Sequence, residues 1–271
     1  MTNSVSQGNR KATLAIHKLT SCSGCQAVIL NLGEDLLTLL EQVEILHFVE
    51  GGIYQPDAKV DIALVEGSVS TPDDQIRLNA IREHCQLLIA VGACACSGGV
   101  QALRNVKQSD DWAASVYADK RYIDSLSRSH AIADCTKVDF ELWGCPISGR
   151  QILAALSMLL RGVSPISPTE KLCQECKRRQ QVCVVVTQGE PCMGPVTRAG
   201  CGALCPQFGA PCYTCFGPSE QPNMQGLARR FQALGLPPQR VAERFVSISA
   251  GAPAFADAYR DLMIDIAKTK D

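Results

Sequence analysis

Charge of one sign is missing from this chain: 26 Lys and Arg against 27 Asp and Glu leave a formal net charge of −1 over 271 residues. There is therefore no electrostatic case for nucleic acid or an anionic membrane surface as a partner. Long apolar runs are missing too. The longest, within 151–160 (QILAALSMLL), falls far short of the roughly 20 residues of a membrane span. Residues 1–20 show neither a basic-then-apolar leader nor a twin-arginine pair, so a cytoplasmic protein is expected. Neither a dinucleotide fingerprint nor a P-loop lysine occurs. No solenoid-period repeat or low-complexity tract is seen.

Cysteine is what the chain has in excess, with fifteen. Eight of them fall in C-x2-C-x6-C-x8-C-x8-C-x3-C-x6-C-x2-C between Cys173 and Cys215, with no histidine among them. In a reducing compartment such thiols serve as metal ligands rather than disulfides, and a disulfide scaffold would be shorter and cysteine-dense throughout. Eight thiols make two sets of four, and four-thiolate sites hold zinc or an iron-sulfur cluster.

A composition of 46% hydrophobic and 20% charged residues is that of an ordinary globular protein, long enough for more than one domain. Short β-branched runs at Ala12 to Ile16, Val43 to Val49, Val60 to Val65, Leu87 to Val91 and Val138 to Leu142 read as buried strands. Helical patterns lie between and after them, at Ala27 to Leu40, at Pro72 to His84 with Thr71 as N-cap, and at Ser148 to Leu160. This alternation predicts an α/β, flavodoxin-like three-layer parallel sheet, for which we expect the order 2-1-3-4-5. Two prolines in RGVSPISPTE (161–170) mark a linker between a 1–165 domain and a 166–271 domain. The cassette is rich in Gly and Pro, so bound metal would supply most of its folding free energy. Met224 to Leu234, Pro238 to Phe245 and Pro253 to Lys268 read as C-terminal helices.

Ligands of open α/β sheets gather at the carboxyl ends of strands. There the chain places SCSGC with Cys22 and Cys25, VEGSVST with Glu66, GACACSGG with Cys94 and Cys96, and GCP with Cys145. Thiols from three separate loops define a discontinuous site, with helix starts just beyond Cys25, Gly98 and Pro146 facing it. Cys96 competes with Cys94, which the Gly92-Ala93 turn favours as the first residue off its strand. Glu66 is a proton-path or subunit-interface candidate, set against a solvated or helix-capping carboxylate. Cys85 and Cys135 read as small buried residues, and His17 and His47 as structural or exposed ones. A thioredoxin-type pair at Cys22 and Cys25 would leave Cys94, Cys145 and the cassette unexplained. A flavin phosphate would find its loop occupied by SCSGC.

Together SCSGCQ, VEGSVST, GACACSGGVQ, GCP, CQECKRRQQVC, GEPCMGPVTRAGCGALCP and CYTCFGP resemble the small, electron-transferring subunit of nickel-iron hydrogenases. The likeness is strongest to the cytoplasmic NAD(P)-linked group that includes the sulfhydrogenase delta subunits, and it covers nearly the whole chain. It implies three 4Fe-4S clusters. Cys22, Cys25, Cys94 and Cys145 would hold the proximal one. Cys201, Cys205, Cys212 and Cys215 would hold the medial one, and Cys173, Cys176, Cys183 and Cys192 the distal one. An interleaved grouping stays open, because Cys205-Pro206 has the form in which a two-cluster ferredoxin crosses its ligands. The nickel-iron centre would lie in a partner large subunit, and flavin/iron-sulfur diaphorase subunits would take the electrons. Unlike periplasmic relatives, this chain has cysteine where they use a distal histidine, and Cys205 as a fourth medial ligand. Both changes imply low potentials. Two other functions fit the composition: an iron-sulfur relay of a complex I-like or heterodisulfide-reductase-associated assembly, or a zinc-stabilised interaction module.

Overall fold

The computed structural model describes residues 10–106 and 110–268; the leader expectation for residues 1–9 lies outside them. Five strands, β1 (Ala12–Lys18), β2 (Val43–Phe48), β3 (Val60–Glu66), β4 (Cys85–Val91) and β5 (Phe140–Leu142), form one sheet in the order β2-β1-β3-β4-β5, every pair parallel. This is the flavodoxin-like order expected. Every residue of β3 is buried, as the near-continuous apolar sequence of a strand covered on both faces requires.

The helices are α1 (Gly24–Leu30), α2 (Glu34–Gln42), α3 (Pro72–Glu83), α4 (Gly92–Ser97), α5 (Asp110–Val116), α6 (Gly149–Leu160), α7 (Leu172–Arg178), α8 (Val184–Thr187), α9 (Leu204–Gln207), α10 (Met224–Ala233), α11 (Pro238–Phe245) and α12 (Pro253–Lys268). Alternate strand residues face opposite ways, and two apolar clusters result. Leu14, Ile16, Ile62, Leu64, Ile89 and Val91 pack with Ile29 of α1, Leu39 of α2 and Ile152 and Leu156 of α6. Ala15, Ala63, Val65, Leu88 and Ala90 belong to the other cluster, with Leu78 of α3 and with Phe231, Phe245 and Phe255 of the C-terminal helices. The latter three rings are fully buried. That cluster also takes in Leu172, Val184, Met193 and Val196, so the cysteine-rich stretch is packed on the same core as the sheet.

Three local readings need correction. The continuous helix over Ala27 to Leu40 is two helices, broken where Gly33 takes φ 63°. Cys94 is not the first residue off β4, because α4 starts at Gly92 and carries both Cys94 and Cys96. Cys25 likewise lies inside α1 rather than ahead of a helix. Thr71 does cap α3: its hydroxyl accepts from the Asp74 N–H at 3.0 Å, and the Asp74 carboxylate accepts from the Thr71 N–H at 3.0 Å. This reciprocal pair satisfies two amides that a helix start leaves open.

Candidate functional site

The carboxyl edge of the sheet is tied together before any thiol is considered. Beyond β1 and β3, Thr20 and Ser68 pair as a two-residue antiparallel bridge, strapping the SCSGC loop to VEGSVST. Asp74 reinforces it, accepting from the Thr20 hydroxyl at 2.7 Å and the Ser70 N–H at 3.0 Å. The Ala93 N–H donates to the Gly144 carbonyl at 2.7 Å, fastening α4 to the GCP turn, whose Cys145-Pro146 peptide is cis. Gln101 links the two sides: its amide donates to the Thr20 carbonyl at 3.1 Å, and its oxygen accepts from the Cys94 thiol at 3.4 Å. Nothing in the sequence singled out Gln101, whose only signal was its place at the end of GACACSGGVQ.

These straps bring Cys22, Cys25, Cys94 and Cys145 within electrostatic range of one another. Burial pushes the Cys94 thiol up to about 11, with Cys145 and Cys22 adding to the rise. Cys25 is driven higher, by burial and then by Glu66, with Cys94 and Cys145 also contributing. Burial, Cys22 and Glu66 raise Cys145. Such thiols become thiolates only where a cation sits among them. Glycines let the backbone approach the sulfurs closely. A Cβ on Gly92 would lie 2.6 Å from Cys25 Sγ, and one on Gly99 2.7 Å from Cys94 Sγ. Cys96, by contrast, is buried in the core, its thiol directed at the Ala90 and Leu142 carbonyls at 3.8 and 3.7 Å. Cys85 and Cys135 are half-buried against the core.

Glu66 is 3% exposed, so it is not solvated. It caps α1: Oε1 accepts from the Cys25 N–H at 3.1 Å, and burial holds the carboxyl above its ordinary range. His17 and His47 are buried rather than exposed, stacked with ring centroids 4.6 Å apart.

In the cysteine-rich stretch, Cys173 and Cys176 lie on α7, Cys205 lies on α9, and the rest sit on connecting segments. Burial raises Cys173 and Cys176 to about 11 each; Cys192 and Cys183 add to both, and Cys201 to Cys176. A Cβ on Gly194 would touch both Cys173 Sγ at 3.4 Å and Cys192 Sγ at 3.5 Å. Cys215 rises to about 12 through burial, then through Cys201, Cys205 and Cys145. Cys212 is driven up by burial, with Cys192 and Cys215 as neighbours, and its N–H donates to Cys192 Sγ at 3.2 Å. The Glu175 carboxylate accepts from the Gly200 and Gly202 N–H groups at 3.1 and 2.9 Å, fixing the loop that carries Cys201 to α7. Among the described residues no three His, Cys, Asp or Glu side chains gather tightly enough to hold a single metal ion. No helix among them is long and apolar enough to cross a membrane.

Fold and site together define an α/β protein with four thiols, from the buried Cys25 to the exposed Cys22 and Cys145, clustered at the carboxyl edge of a parallel sheet and a second, thiol-rich segment packed beside it. Residues 22–159 match the family described as NADH ubiquinone oxidoreductase, 20 Kd subunit, and the chain belongs to that family. Sulfhydrogenase 2 subunit delta of Pyrococcus furiosus is 34% identical over 85% of this chain and 96% of its own length. A subunit of the F420-non-reducing hydrogenase of Methanocaldococcus jannaschii is 32% identical over 75% of this chain and 81% of its own. A crystal structure of an NAD+-reducing [NiFe]-hydrogenase in the H2-reduced state contains a chain 30% identical, with TM-score 0.54, covering 59% of this chain and 96% of that one. The protein is thus a hydrogenase subunit, and not the one that bears the catalytic centre.

Proposed function

We propose that this chain is the electron-transfer subunit of a nickel-iron hydrogenase. It relays electrons between hydrogen at a large subunit and an NAD(P)-linked flavin/iron-sulfur diaphorase, through three 4Fe-4S clusters. When bound, the clusters supply reversible one-electron storage. Cys22, Cys25, Cys94 and Cys145 would hold the proximal cluster. The convergence of these four thiols, carried on separate elements at one edge of the sheet, is the observation that carries the proposal. Among the described residues no three of these side chains gather tightly enough to hold a single metal ion, and glycines at 92 and 99 let the backbone lie close to the Cys25 and Cys94 sulfurs. The buried position of Cys96 supports Cys94 as the ligand.

The neighbour relations in the second half support the sequential grouping. Cys176 has Cys173, Cys192, Cys201 and Cys183 as neighbours, three of the four from its own set, whereas Cys215 has Cys201, Cys205 and Cys145. In this reading Cys173, Cys176, Cys183 and Cys192 are the distal set, and Cys201, Cys205, Cys212 and Cys215 the medial one. Cys145 beside Cys215, and Cys192 beside Cys212, supply the two junctions of a linear order. The chain's own residues bind, space and dehydrate the sites; none is placed as a general acid, base or nucleophile. NAD(P) as terminal acceptor rests on the likeness to the NAD+-reducing enzyme.

The test is anaerobic purification of the chain with its genomic neighbours. Hydrogen should bleach the brown iron-sulfur absorption, and NAD or NADP should restore it. A colourless, zinc-containing complex that does not respond to hydrogen would overturn the proposal.

A further inference from the structure

Cys145 and Cys215 are neighbours that belong to different halves of the molecule, and one side chain occupies the seam between their segments. Trp143 stands two residues before Cys145 and is 7% exposed. Its indole N–H donates to Glu141 Oε2 at 2.9 Å. On the other side, a Cβ on Gly217, two residues after Cys215, would lie 2.2 Å from the Trp143 ring, so the ring rests directly on that backbone.

Arg198 closes the arrangement. Its guanidinium carbon lies 5.3 Å from the Trp143 ring centroid, within cation–π range. Its backbone N–H donates to the Gly217 carbonyl at 3.1 Å, and its Nε to the Pro218 carbonyl at 3.4 Å. Arg198 is therefore bound to the segment after Cys215 and, through the indole, to the segment before Cys145. A half-buried guanidinium is costly without a countercharge, and Glu141, which already holds the indole, attracts it. Beneath this clamp the Cys145 amide lies against the Cys215 thiol.

We infer that Trp143, held by Glu141 and Arg198, is a positioning residue that sets the separation between the Cys22/Cys25/Cys94/Cys145 group and the Cys201/Cys205/Cys212/Cys215 group. The inference rests on the reading that both groups hold clusters. It goes beyond that reading in assigning the control of their spacing to residues that ligate nothing. An aromatic ring suits the task because it fills the seam with a rigid body of only two side-chain torsions.

The test uses the purified chain in its complex, with Trp143→Ala, Trp143→Phe, Arg198→Met and Gly217→Ala. Iron and sulfide content are measured first, then the spin–spin splitting between the two reduced clusters by EPR and their midpoint potentials. Wild type should show resolved splitting. Trp143→Ala and Gly217→Ala should lose it while iron content stays at the wild-type value, and Arg198→Met and Trp143→Phe should narrow it. If Trp143→Ala fails to assemble, Trp143→Phe and Arg198→Met decide. Full iron with wild-type splitting in those variants overturns the inference. Absence of iron-sulfur signals from wild type would instead overturn the underlying reading and the inference with it.

Discussion

Gly92→Ala is the substitution from which the geometry of the sheet edge can be worked most fully. Gly92 joins β4 to α4 at φ 88°, and a methyl there would sit 2.6 Å from Cys25 Sγ. Non-bonded carbon contacts are optimal at about 3.5–4.0 Å, so the methyl intrudes by roughly 1 Å or more. Left-handed backbone costs an L-residue about 1–2 kcal/mol, and overpacking a filled site about 1–3 kcal/mol. Together these predict a loss of about 2–5 kcal/mol. Relief would come from moving Cys25, which lies in range of Cys94 and Cys145, so metal content should fall as well. Gly52→Ala separates the two costs, since Gly52 has φ 79° but nothing within 4 Å of its would-be Cβ. It should lose only the backbone part, about 1–2 kcal/mol, and retain full iron. Anaerobic denaturant unfolding with iron analysis on both variants is the assay. If Gly92→Ala unfolds no sooner than Gly52→Ala and binds as much iron, the reasoning about the close approach is refuted.

Three further outcomes follow from single sites. Cys94→Ser should lower iron from about twelve to about eight atoms per chain, with one four-thiolate site lost, whereas Cys96→Ser should leave it unchanged; the reverse pattern would exchange their roles. Burial holds the pKa of His17 down, from 6.5 to about 3. Its contribution to stability is therefore present above pH 6.5 and lost as pH falls toward 3, amounting to about 2 kcal/mol by pH 5. His17→Phe should flatten the unfolding free energy over that window by this amount, and an unchanged slope would contradict the assignment. Asp61, buried at the opposite end of β3, accepts from the Thr13 N–H and hydroxyl at 2.8 and 2.9 Å and pairs with Arg10 at 3.0 Å. Asp61→Ala should cost about 2–4 kcal/mol in denaturant unfolding and Asp61→Asn less, since an amide oxygen can still accept from Thr13.

The sheet was legible because its strands are covered on both faces and read as uninterrupted apolar runs, and because short turns between alternating elements leave few topologies. The order with β1 between β2 and β3 follows from that alternation. Helices α3, α11 and α12 were legible from Thr71 and from the prolines at their first turns. The break at Gly33 was not, because the apolar period of Ala27 to Leu40 carries across it in register. Nor was α4, whose Gly-Ala-Cys-Ser composition offers no amphipathic signal. At the site, spacing alone picked out the thiols at the strand ends. What holds them there was invisible in the sequence, because Gln101 with Thr20, Glu66 with Cys25 and Trp143 with Arg198 are partners only after folding.

The central claim is that the twelve thiols serve three iron-sulfur clusters. Quantitative iron and acid-labile sulfide on the anaerobically purified chain test it most directly. About twelve of each per chain are expected, the content of three 4Fe-4S clusters. Stoichiometric zinc with no labile sulfide, or only about four irons per chain, would contradict it.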